Sequence, residues 1–124
     1  MPPIKFEHAQ FGSIVANGVR YDYDLILTAA GEIRARPKHL SKKYGGWHTI
    51  LGPEEIKFAL AGAPKIVLIA TGHFGVLPIH AQTRALIAQL GIVLECARIH
   101  RALARYDELA RAGKRVAMIL HLTC

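Results

Sequence analysis

A chain of 124 residues has the length of one domain, and folding buries roughly two thirds of the unfolded surface, so a core forms without disulfide or metal staples. With 52% hydrophobic and 20% charged residues, the composition excludes a disordered tail, a coiled coil and a disulfide scaffold, and no apolar run is long enough to span a membrane. Sixteen Lys and Arg against nine Asp and Glu leave a net charge of +7, which favours encounters with acidic partners and is silent about fold.

Ile14 and Val15 lead into Asn17-Gly18, a pair that accepts positive φ and suits a two-residue hairpin turn. Beyond it Val19, Tyr21, Tyr23 and Leu25 alternate with Arg20, Asp22 and Asp24, the period-two pattern of a strand with one dry and one wet face, which sets both aspartates in solvent. Ala30-Gly31 marks the next turn, and Glu32 to Arg36 return as a third strand before Pro37. Residues 11–36 are thus predicted to form an antiparallel meander. From Arg34 to Lys43 the chain carries Arg34, Arg36, Lys38, Lys42, Lys43 and His39 with no acidic residue, a stretch expected to be a solvated loop.

Residues 53–124 read as α/β. Pro53 at a first helical position, with Glu54 and Glu55 in the first turn and Ile56, Ala59 and Leu60 on one face, predicts a short helix ended by Gly62 and Pro64. Ile66 to Ala70 is an unbroken apolar run that suits a strand covered on both faces. A helix over His80 to Gln89, with Ala81, Ala85, Leu86 and Leu90 as its apolar face, leads to a strand over Ile92 to Cys96. Ile99, Ala102, Leu103, Tyr106, Leu109 and Ala110 predict a helix closed by Gly113, and Val116 to Leu120 forms the last buried strand. The fold class is therefore α/β: a three-layer β/β/α-type single domain over residues 1–124, with a mixed central sheet, a parallel β-α-β-α-β C-terminal half and an N-terminal antiparallel meander.

In open parallel sheets the ligand crevice lies beyond the carboxyl ends of the strands. The loop in that position is Thr71, Gly72, His73, Phe74 and Gly75, whose two glycines let the backbone turn sharply and approach an anion. It matches no dinucleotide or P-loop fingerprint. His73 and His48 are the acid–base candidates, and Lys42 and Lys43 are the cations expected to serve the same cleft. Cys96, His100, His121 and Cys124 would come together only if the last two strands were neighbours. Arg98, Arg101 and Arg105 recur on the wet side of the last helix. No catalytic residue, metal ligand or cofactor is assigned.

Phe11-Gly12-Ser13-Ile14, Tyr21-Asp22-Tyr23-Asp24-Leu25, Leu40 through Gly46, His48 through Glu55, Ala70-Thr71-Gly72 with Gly75 and Leu77-Pro78, and Gly113 through Cys124 occur in an order that resembles a small domain family. That family includes an adipogenesis-associated cytoplasmic protein and a mitochondrial assembly factor for respiratory complex I. The resemblance implies a central mixed sheet with an additional β-layer and helices, and it implies no reaction, cofactor or catalytic residue. This chain departs from the pattern with Ile99-His100 where the family often has Thr-Pro, and with Asp107 where Asn is usual.

The function expected from these features is a non-enzymatic binding or assembly module with a basic surface and a small cleft at the Thr71 to Gly75 loop. The alternative is a small enzyme, or a nucleotide or anion binder, that uses the same loop. The expected partner is an acidic protein or a small anionic ligand. Nucleic acid is disfavoured because the fold-level signatures of its binders are absent. Two cysteines and an N-terminal stretch without leader or transit character predict a reducing, cytoplasmic setting.

Overall fold

The computed structural model describes residues 2–46 and 49–124. Strands β1 (Phe6–Gln10), β2 (Ser13–Ala16) and β3 (Val19–Tyr21) form one antiparallel sheet in that order. Asn17-Gly18 is the β2–β3 turn, with both residues at positive φ. Strand β1 has no alternating apolar signal and carries a register shift between Glu7 and Gln10, so its pairing is decided by β2 rather than by its own pattern.

A bend at Asp22 to Asp24 interrupts the run from Val19 to Leu25. Strands β4 (Leu25–Leu27) and β5 (Ile33–Ala35) then belong to a second sheet, and the antiparallel half divides between the two. The second sheet is completed by β6 (Ile66–Ala70), β7 (Val93–Ala97) and β8 (Val116–Leu120) in the order β5-β4-β8-β6-β7. Pairing is parallel for β8-β6-β7 and antiparallel for β5-β4-β8.

Helices α1 (Pro53–Ala59), α2 (Ala81–Gln89) and α3 (Ile99–Arg111) complete the fold. The chain steps from β6 to β7 through α2, then back past β6 to β8 through α3. Two crossovers of the same hand that move in opposite directions leave their helices on opposite faces. The central strands accordingly alternate in what they bury. Leu25, Leu27, Leu68, Ala70, Met118 and Leu120 pack with α3 and the three-stranded sheet, while Ile26, Val67, Ile69, Ala117 and Ile119 pack with α1 and α2.

Helix α3 buries Ile99, Ala102, Tyr106 and Leu109 of the predicted stripe, with Leu103 and Ala110 partly buried beside them. Helix α2 does not bury the predicted face: Thr83 and Ile87 point inward and Leu90 is exposed. Its apolar residues lie nearly all round, so docking chooses the face. Thr83 Oγ1 donates to the carbonyl of Leu51 at 2.7 Å, and His80 Nδ1 caps the helix by accepting from the Gln82 N–H at 3.0 Å.

Candidate functional site

Register places Ala70 beside both Ala97 and Leu120, so the loops that leave β6, β7 and β8 meet at one rim. The Thr71 N–H and Oγ1 both donate to the Ala97 carbonyl, at 2.8 and 3.1 Å, and the His121 N–H donates to Ala70. The Ile99 N–H donates to Gly72 O at 3.1 Å, fixing the start of α3 against the glycine loop. Residues after His121 then run across that loop. The His73 N–H donates to Thr123 O at 2.8 Å, and the N–H groups of Phe74 and Val76 both donate to Cys124 O at 3.0 Å.

Gly72 is required at this crossing. Its φ is +99°, and a Cβ there would lie 2.3 Å from the carbonyl carbon of Cys124. The amides the sequence offers for an anion at His73 and Phe74 are therefore already satisfied within the chain.

The open surface lies one step further along. His73, Cys96, Ala97, Arg98, Ile99, His100 and Arg101 line a groove of about 650 Å³ at the N-terminus of α3. Arg98 is the N-cap residue and supplies no side-chain cap, and the first turn holds no acidic residue. Among the described residues the N–H groups of His100 and Arg101 have no acceptor, whereas the Ala102 N–H bonds to Arg98 O at 2.8 Å. Helix polarity adds partial positive charge to the guanidinium groups gathered there. Arg105 is held by Glu95 at 2.8 Å, but among the described residues neither Arg98 nor Arg101 has a carboxylate partner.

Two imidazole rings line the groove, and two phenylalanine rings continue from them outside it. The His73 and His100 rings meet edge to face at 5.5 Å, and Phe11 lies 5.9 Å from His73 and 6.4 Å from Phe74. The two phenylalanines are 58% and 62% exposed. His73 Nε2 is shielded from solvent and has no hydrogen-bond partner among the described residues. Burial pushes the Cys96 thiol above its ordinary value, against the weaker pull of Arg84, which leaves it a poor nucleophile.

Behind the rim lies a buried polar network. Arg36 donates Nε and Nη2 to the two oxygens of Glu55 at 2.7 and 3.0 Å, and Nη1 to Asp24 Oδ2 at 3.1 Å. Ser41 donates to Glu55 and accepts from the Gly52 N–H. Asp24 also receives His121 Nδ1 at 2.7 Å, the Leu122 N–H at 2.9 Å and Lys38 Nζ at 3.2 Å. Burial alone would raise the Asp24 carboxyl. The bonds from His121 and Leu122 and the charges of His121 and Lys38 outweigh it and hold the group well below the usual carboxylate range. A Gly72 Cβ would come within 2.8 Å of the His121 ring, so the network braces the crossing of loop and C-terminal residues.

Of the residues singled out from sequence, Thr71, Gly72, His73, Phe74 and Gly75 lie at the rim, and only His73 among them lines the groove. Lys42 and Lys43 sit in a 3₁₀ turn over Lys42–Tyr44 and do not line it. Lys43 is held by Glu54 at 2.6 Å, and together with Tyr44 it draws the Glu54 carboxyl down to about 2. His48 falls outside the described residues. The stretch from Arg34 to Lys43 is not a uniformly solvated loop, since Arg36 is buried and Lys38 pairs with Asp24. Cys96 and His121 do not adjoin, because β6 separates β7 from β8. Nothing in the sequence alone marks Phe11, Arg98, His100 and Arg101 as members of one site. The spacing of Arg98 and Arg101 on the last helix was the available signal, and it did not distinguish them from the paired Arg105.

The chain resembles solved structures along nearly its whole length. A conserved hypothetical protein from Pyrococcus horikoshii is 30% identical, with a TM-score of 0.87 over 97% of this chain and 99% of that one. A protein from Xanthomonas campestris is 23% identical, with a TM-score of 0.76 over 96% and 84%. A Mth938-like domain from Bordetella pertussis is 24% identical, with a TM-score of 0.64 over 96% and 85%. No curated protein matches. Residues 6–121 match the family described as protein of unknown function (DUF498/DUF598), and the chain belongs to that family.

Proposed function

We propose that this protein is a non-enzymatic binding or assembly module that captures an anionic group of its partner at the rim formed by the Thr71 to Gly75 loop and the start of α3. The observation that carries the reading is the uncapped end of α3, where Arg98, Arg101, His73 and His100 line a groove to which no carboxylate contributes among the described residues. The guanidinium groups of Arg98 and Arg101 at a positive helix end repel one another, and an anion relieves that repulsion while accepting from the free N–H groups. The resemblance to a family that includes an assembly factor for respiratory complex I supports binding rather than bond-making as the work of this rim. A cytoplasmic setting belongs to the same proposal; no helix among the described residues is long and apolar enough to cross a membrane.

Titration with inorganic phosphate at low salt, followed by amide NMR, tests the site. Saturable shifts at the His100 and Arg101 amides are expected, lost in the Arg98→Glu/Arg101→Glu variant and retained in Lys42→Glu/Lys43→Glu. Shifts confined to other surfaces, or none, would refute the reading.

A further inference from the structure

We infer that the anionic partner of this rim is a single-stranded nucleic acid, a step that rests on the anion-binding reading above and adds the chemistry of the neighbouring rings. Phe74, Phe11, His73 and His100 form a continuous row, with successive centroids 6.4, 5.9 and 5.5 Å apart. The row ends on the groove that holds Arg98 and Arg101. A phosphate or an acidic peptide would need the arginines and the helix end but would leave the rings without work. Two adjacent phenylalanines are more than half exposed, an apolar pair of the kind that marks an interaction surface.

A single strand supplies both halves of the complement. Its unpaired bases present planar faces to stack on the rings, and its phosphates meet the guanidinium groups and free N–H groups alongside. A duplex conceals its base faces. Four rings in a row exceed what one base can cover, which favours a strand of several nucleotides over a mononucleotide. The net charge of +7 adds long-range attraction for a polyanion. This surface is distinct from the Arg34 to Lys43 stretch, where Arg36 is buried and Lys38 and Lys43 are paired with Asp24 and Glu54.

The test is fluorescence anisotropy with labelled oligouridylate and oligodeoxythymidylate at low salt, beside a duplex of the same length and polyglutamate as an acidic ribbon without rings. Phe11→Leu/Phe74→Leu keeps apolar surface and removes the rings. Because both residues are exposed, the fold should persist, which circular dichroism checks. The double leucine variant should weaken single-strand binding by about tenfold or more and leave polyglutamate binding unchanged, while Phe11→Trp/Phe74→Trp should retain the single strand. Arg98→Ala/Arg101→Ala should flatten the slope of log affinity against log salt by about 1.4. Preference between the two oligonucleotides identifies RNA or DNA as the source, and either supports the inference.

Single-strand affinity unchanged by the leucine variant would overturn the inference, as would a duplex bound as tightly as the single strand. Binding of polyglutamate or phosphate at the rim without oligonucleotide binding would overturn it too, while leaving the anion site standing. If no anion perturbs His100 or Arg101, both readings fall together.

Discussion

Arg36 stands among exposed lysines in the sequence but reaches two buried carboxylates in the fold, and a pattern of charge along the chain has no means of marking it. Removing it by Arg36→Ala leaves Glu55 buried without its counter-charge and takes one of three cationic partners from Asp24, which keeps His121 and Lys38. A loss of about 3–5 kcal/mol in urea denaturation is expected. Asp24 was hidden for a related reason: strict alternation from Val19 to Leu25 puts it in water, and the bend that separates β3 from β4 turns it inward. Its native carboxyl lies well below the value of about 3.9 for an unfolded chain, so between those values the unfolded state binds more protons. The stabilisation is complete above the unfolded value and lost as pH falls below about 4. Asp24→Asn should flatten that acid limb in stability measured against pH. Gly72 was legible as a turn residue, but not as the seat of Cys124. Gly72→Ala should destabilise by at least about 2 kcal/mol, from positive φ and backbone overlap together. Gly113→Ala, also at positive φ but in open space, should cost less in the same denaturation experiment.

Among the elements, α3 was readable because its apolar and polar faces separate cleanly, and Ile99, Ala102, Tyr106 and Leu109 point inward as spacing requires. Helix α2 was readable as a helix but not in its orientation, since residues of similar polarity surround it and the Thr83 bond to Leu51 chooses the face. The end of α3 yields a prediction in which stability and binding oppose each other. Arg98→Asp supplies the missing N-cap acceptor and should stabilise the protein by about 1 kcal/mol in thermal or urea unfolding. The same change should abolish phosphate-dependent shifts at His100 and Arg101. A variant both steadier and unresponsive would mark the natural cap as a residue retained for binding.

Across the molecule, the three-stranded sheet is tied to the rest through contacts between distant parts of the chain. The Ile4 N–H donates to the Tyr106 hydroxyl at 2.9 Å, and Phe6 packs edge to face on the same ring at 5.4 Å. Tyr106→Phe keeps the packing and leaves the buried N–H without an acceptor. Guanidinium denaturation should register a loss of about 1–3 kcal/mol, and hydrogen exchange at Ile4 should accelerate.

By itself the sequence determined the local matter: helix ends at Pro53 and Gly113, the Asn17-Gly18 hairpin, the apolar strands over Ile66–Ala70 and Val116–Leu120, and a parallel C-terminal half. Each follows from dihedral preference or periodicity within a few residues. Strand order, the division of the N-terminal strands between two sheets, the face of α2, the buried company of Arg36 and the row of rings beside Arg98 were decided only in the tertiary structure. They depend on which surfaces meet across long stretches of chain, where burial and hydrogen-bond satisfaction override the pattern of any one segment.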